Sequence, residues 1–308
     1  MIFLLFKQIL SMMIMIACGF LLVQSGKCRA EDSEVLSSIT ICLILPCVII
    51  NSFQIEMTPE VRTGFYTAVA AAVLIHTLLF FLCALFRKIW KTDAIETASV
   101  FYSNAGNMII PLVAAVLGKE MLIYASAFLC VQTILMWTHG NALVSGRGLS
   151  DIRGMLKNRN LIAVLIGLFM FFTGLRLPEI LRTPMDAIAS IIGPVSMFCI
   201  GMILTKVHWG ELFRNARLYL IMILKMIVVP LAALLLLKAF CTVLPLPGLS
   251  DVLLVSYMAV IAPSAVSIMQ MANVYKKDAV YAGAINALTT VVCIVTMPVM
   301  VMLYQAFM

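Results

Sequence analysis

Charge is what this sequence has least of. Asp, Glu, Lys and Arg together make up 11% of its 308 residues, less than half the share usual in a soluble domain. A soluble fold must still present roughly 40% polar surface to water. A chain that is 63% hydrophobic, with a mean hydropathy of +1.10, does not carry enough polar residues for that. The composition excludes a water-soluble globule and predicts an all-α polytopic protein whose solvent is the lipid bilayer.

Other shortages narrow the function. The 14 acidic residues sit at the ends of the apolar stretches or between them. Proton pumps and many sodium carriers hold carboxylates deep in the membrane, so a carboxylate-based proton relay is not expected. Sodium held by backbone carbonyls and Asn side chains stays open. No P-loop, HExxH or GxSxG stands in a polar segment, which leaves an enzyme without a catalytic set. The nine cysteines form no CxxC pair and mostly lie in apolar runs, where they read as small hydrophobes. Neither a metal site nor any other cofactor is expected. The formal net charge of +7 calls for no nucleic-acid partner, because Lys and Arg lie between apolar stretches, where they set topology.

What the sequence does have is long apolar runs. A span needs about 20 mostly apolar residues. Ten candidates occupy roughly 2–23, 35–54, 64–86, 96–117, 120–143, 160–177, 185–205, 215–239, 250–273 and 279–304. The first run is too long for a signal-peptide core and lacks an A-x-A site, so it reads as a retained span. The basic stretch 145–159, with Arg147, Arg153, Lys157 and Arg159, divides the chain into halves 1–144 and 160–308. Lys and Arg concentrate on the side that holds this linker. The linker is therefore expected in the cytoplasm, with both termini outside a cell membrane.

The halves resemble one another. Pro46 and Pro194 are 148 residues apart, His76 and Lys225 are 149 apart, and Pro111 and Pro263 are 152 apart. Five spans per half force the second half to enter from the opposite side. The expectation is a five-plus-five inverted repeat, an arrangement that marks transporters.

Two stretches carry unusual chemistry. "SNAGNMIIPL" (103–112) places Asn104, Gly106, Asn107 and Pro111 inside the fourth span. "IAPSAVS" (261–267) places Pro263, Ser264 and Ser267 inside the ninth. Each proline lacks an N–H and clashes with the carbonyl four residues back, so both helices are expected to break near the midplane. Half-helix N-termini following such breaks carry partial positive charge and favour anions. Lys225 lies about nine residues into the eighth span. A charge there is costly and should face the protein interior. Two roles are open for it: counter-charge for an anion, or a lysine tied to helix carbonyls. His76 reads as a satisfied interior polar group. The candidate substrate-binding residues are thus Asn104, Asn107, Pro111, Lys225, Pro263, Ser264 and Ser267.

The stretch from Asn104 to Pro111, the block "APSAVSIMQMANVYKKDAVYAGAINALTTVVCIVTMP" (262–298) and the lysine-bearing "ILKMIVVPL" resemble the auxin efflux carrier family. That family includes plant auxin carriers and bacterial malate and malonate permeases. The resemblance covers essentially the whole chain. It implies a ten-span inverted fold with a scaffold and a transport domain, elevator-like movement and often homodimers. It also implies that Asn104 and the backbone around Pro111 and Pro263 contact a substrate carboxylate. Ile109 stands where the family usually has Gly, and Asn107 where an apolar or aromatic residue is common. The short central loop resembles the bacterial permease branch. The expected function is secondary transport of a small organic anion. The rivals are a sodium-coupled symporter of bile-acid-transporter type and a non-transporting membrane sensor or scaffold.

Overall fold

The computed structural model describes residues 2–55, 58–146, 159–206, 210, 214–243 and 248–308. Most of the expected linker lies outside these residues, and so does the side chain of Asn107. Among the described residues the chain is all-helical, with one isolated β-bridge and no strand.

Twelve helices among the described residues follow the apolar stretches. They are α1 (Ile2–Gln24), α2 (Ala30–Ser52), α3 (Pro59–Trp90), α4 (Ala94–Phe101), α5 (105–116) and α6 (Lys119–Ser145). The second half holds α7 (Arg159–Thr173), α8 (Glu179–Leu204), α9 (Ala216–Val243), α10 (Leu249–Val260), α11 (Val266–Val274) and α12 (Ala279–Phe307). Six of them, α2, α3, α6, α8, α9 and α12, are long and apolar enough to cross a membrane. Eight of the ten expected stretches hold one helix each. The fourth holds both α4 and α5, and the ninth holds both α10 and α11.

Helix α3 shows how the helices meet protein on one side and lipid on the other. Phe65, Ala68, Ala72, Ile75, Leu79, Cys83 and Phe86 recur at helical spacing and are buried. The opposite face, with Tyr66, Val73, Phe81 and Leu85, is equally apolar and exposed. A helix apolar all round suits a hydrocarbon solvent. Alanines at 68, 71 and 72 let neighbouring helices approach the buried face closely.

Proline shapes the helix interiors. Three π-turns, Thr40–Ile44, Ala105–Ile109 and Leu224–Val228, each end two residues before a proline: Pro46, Pro111 and Pro230. Each turn is centred on residue 42, 107 or 226, whose carbonyl the proline ring would strike four residues on. Widening the turn relieves that clash, and π-bulges of this kind gather at functional sites. A fourth π-turn, Met136–Gly140, has no such proline. There Gly140 packs against the Tyr102 ring, and an added Cβ would sit 2.7 Å from it.

The helices pack in two groups. α1 and α2 pack on α8, and α2 also packs on α7. α1 and α8 cross backbone to backbone: a Cβ on Gly201 would lie 2.0 Å from the Ile16 carbonyl oxygen, and one on Gly19 would lie 2.3 Å from that of Phe198. In the second group, α3 packs on α4, α6, α9 and α10, while α12 packs on α9, α10 and α11.

Candidate functional site

The chain leaves helical geometry after Phe101, where Tyr102 is extended, and again between α10 and α11. The two non-helical stretches meet as an antiparallel bridge between Ser103 and Ser264. The Asn104 N–H donates to the Pro263 carbonyl at 2.8 Å, and the Ala265 N–H donates to the Tyr102 carbonyl at 2.9 Å. Backbone groups inside a lipid-embedded protein must find partners within it. Here each stretch supplies them to the other.

The remaining groups of the crossing are met by side chains from other helices. Gln132 on α6 clamps Ser103: its Nε2 donates to the Ser103 carbonyl at 2.9 Å, and its Oε1 accepts from the Ser103 N–H at 3.2 Å. On the other strand, Asn286 Nδ2 donates to the Ser264 carbonyl at 2.5 Å. Thr289 Oγ1 accepts from the Ser264 N–H at 3.2 Å. Because Asn104 donates to Pro263, the Val100 carbonyl loses the helical donor it would otherwise have. Lys225 Nζ fills that position, donating to the Val100 oxygen at 3.1 Å and to Ser103 Oγ at 2.7 Å. Ser103 Oγ in turn donates to the Val260 carbonyl at 3.1 Å.

A cavity of about 300 Å³ lies beside the crossing. Its walls come from α2 (Leu45), the α4–α5 stretch (Ser103, Asn104, Gly106), α6, α7 (Asn160) and the start and length of α11. From Gln132, α6 runs past Met136 and Trp137 to Asn141. From Ala265, α11 runs past Ser267 and Met271 to Tyr275. The far ends are joined by Tyr275 Oη donating to Asn141 Oδ1 at 2.5 Å. The cavity therefore extends from a polar end at the crossing to a section lined by Trp137, Met136 and Met271. Among the described residues, no Lys, Arg, Asp or Glu lines it.

The expected site residues are placed unevenly. Asn104 and Ser267 line the cavity. Asn104 is 5% exposed, and its Nδ2 has no partner among the described residues. Pro263 and Ser264 form the crossing itself, behind the cavity wall. Pro111 lies a turn into α5 and faces α8, where a Cβ on Gly193 would sit 3.3 Å from it. The two prolines thus hold different places: Pro263 is in the bridge and Pro111 is past it. Lys225 is fully buried and stands behind Ser103, off the cavity surface. The Asn107 side chain lies outside the described residues. His76 Nδ1 is 2.7 Å from the Ala72 oxygen, while its Nε2 has no partner among the described residues. Gln132, Trp137, Asn141 and Tyr275 were not expected from the sequence. A glutamine at mid-span was the one available signal.

Apolar helices around a cavity that is polar at the crossing and apolar beyond it define a polytopic membrane protein with a small internal chamber. The membrane transport protein family, which is the transport domain of the auxin efflux carriers, matches residues 4–151 and 148–301. The chain belongs to that family and is a membrane transporter. No curated protein matches it.

Proposed function

We propose that this transporter moves a small organic anion, a carboxylate, held at the polar end of the cavity. The observation that carries this reading is the unpartnered Asn104 amide, which lines the cavity where two helices begin. Helices α5 and α11 both start at the crossing, and Asn104, Gly106, Ala265 and Ser267 stand around their first turns. Their free N–H groups and partial positive charge suit a carboxylate without any basic side chain. Lys225 stands behind Ser103, off the cavity surface, and is not needed for this reading.

In this reading α4 with α5, and α10 with α11, are two broken spans of a ten-span, five-plus-five inverted repeat. The boundary between the two family matches, at 148–151, falls in the proposed linker 145–159. The group α1, α2, α7 and α8 serves as scaffold, and the other helices carry the site past it in an elevator movement. With the linker in the cytoplasm, the Asn141–Tyr275 end of the cavity faces the cytoplasm. The site lies in a cell membrane, in a subunit that pairs as a homodimer.

Thermal melts of the purified protein with mono- and dicarboxylates, with and without sodium, test the site. Specific binding stabilises by about 2.7 kcal/mol at one hundred times Kd. No stabilisation by any carboxylate would sink the proposal.

A further inference from the structure

Lys225 is the basic side chain that bonds to the crossing, on the side away from the cavity. It is fully buried within α9. Among the described residues its Nζ meets two acceptors, the Val100 oxygen and Ser103 Oγ. Two is the number of N–H bonds in a neutral amine, whereas an ammonium has three.

Among the described residues the surroundings supply no acidic counter-charge: the ionisable groups facing Lys225 are His76 and Cys83 on α3 and Cys293 on α12. The acid on α4, Glu96, is held by Arg217, two turns nearer the start of α9, and by Tyr281 of α12. A buried ammonium without an anion beside it is costly. The cavity lies immediately across Ser103, which binds Lys225 on one side and lines the cavity. An anion seated at Asn104 therefore brings the missing charge and makes the protonated amine affordable in the same step. Binding linkage is reciprocal, so the proton must favour the anion as much as the anion favours the proton.

We propose that Lys225 is the proton-coupling site of this transporter, taking up one proton with each anion. The proposal rests on the anion-transport reading above. The neutral amine accepts a proton from the aqueous side to which the cavity opens, and gives it up on the other side once the anion leaves. No covalent bond forms or breaks beyond that N–H.

The test uses the full-length protein in proteoliposomes with the membrane potential clamped at zero. Labelled malonate, malate and phenylacetate serve as probes, with protein-free vesicles as blank. Exchange at equal pH reports transport, and uptake against an imposed pH gradient, acid on the outside, reports coupling. One proton per anion raises accumulation about tenfold for each pH unit. Wild-type protein should show that rise, and a trapped pH dye should record a proton entering with each anion. In Lys225→Met, a fixed neutral group, and Lys225→Arg, a fixed charge that keeps its donors, accumulation should not respond to the gradient while exchange remains measurable. Exchange without any gradient effect in wild type overturns the coupling and leaves the transport reading standing. A gradient effect that persists in either variant overturns it too. Loss of exchange in both variants assigns Lys225 to anion binding or folding and also overturns it. If no probe exchanges in wild type, the transport reading falls and this inference with it.

Discussion

The Asn104 N–H donates to the Pro263 carbonyl at 2.8 Å, so one backbone break satisfies the other. This bond has two consequences. It pairs the two backbones directly, and it withdraws the Asn104 N–H from the Val100 carbonyl, which Lys225 then occupies. Asn104 makes this contact through its backbone, and its Nδ2 has no partner among the described residues.

Asn104→Ala should weaken carboxylate binding by roughly tenfold or more, the worth of one hydrogen bond to a charged group. The ligand-free melting temperature should barely move, because Nδ2 has no protein partner to lose. Titrating the thermal shift against ligand concentration separates the two effects. Unchanged affinity would remove Asn104 from the site.

Gln132→Leu should lower stability even without ligand. The substitution leaves both the N–H and the carbonyl of Ser103 unpaired in the interior, at about 1–3 kcal/mol for each group. A drop in melting temperature together with weaker ligand binding is expected. A wild-type melt would show that the clamp is dispensable.

Gly201→Ala should loosen the crossing of α1 and α8. Its new Cβ would fall 2.0 Å from a backbone oxygen, which no rotamer change can relieve. Overpacking of this kind costs about 1–3 kcal/mol. Melting temperature and monodispersity in detergent report it, and Gly19→Ala should behave alike.

Arg217 binds both oxygens of Glu96, at 2.7 and 2.8 Å, and also donates to the carbonyls of Trp90 and Lys91. It thus ties the start of α9 to the end of α3 and the start of α4. Glu96 is almost wholly buried, while Arg217 is partly exposed. Either Arg217→Met or Glu96→Gln should destabilise by about 2–3 kcal/mol, below the full cost for a wholly buried pair. The double variant should cost clearly less than the sum, because the second change removes the group stranded by the first. Additive losses in a double-mutant cycle would show that the pair is not coupled.

Much of this was legible in the chain itself. Lipid demands about 20 apolar residues per crossing and internal partners for every backbone group. The apolar runs therefore place the helices to within two turns. Of Pro46, Pro111, Pro230 and Pro263, only Pro263 stands in a stretch where a helix ends, since the other three lie inside helices after π-turns. Pairing Pro111 with Pro263 by offset was less secure. Proline reports a local clash at its own position, which in α5 is absorbed by a π-turn and in the 261–265 stretch accompanies the bridge. Lys225 could be recognised as an interior cation, but not as a partner of Val100 and Ser103.

By itself, then, the sequence determined the solvent and the apolar stretches that form the helices. These follow from local composition and from groups that each residue carries or lacks. Tertiary structure decided that Ser103 meets Ser264, that Gln132 clamps one strand of the crossing, and that Leu45, Trp137 and Tyr275 share a cavity with Asn104. Those contacts join residues far apart in the chain. In a sequence apolar on every helix face, no periodic pattern shows which side turns toward protein and which toward lipid.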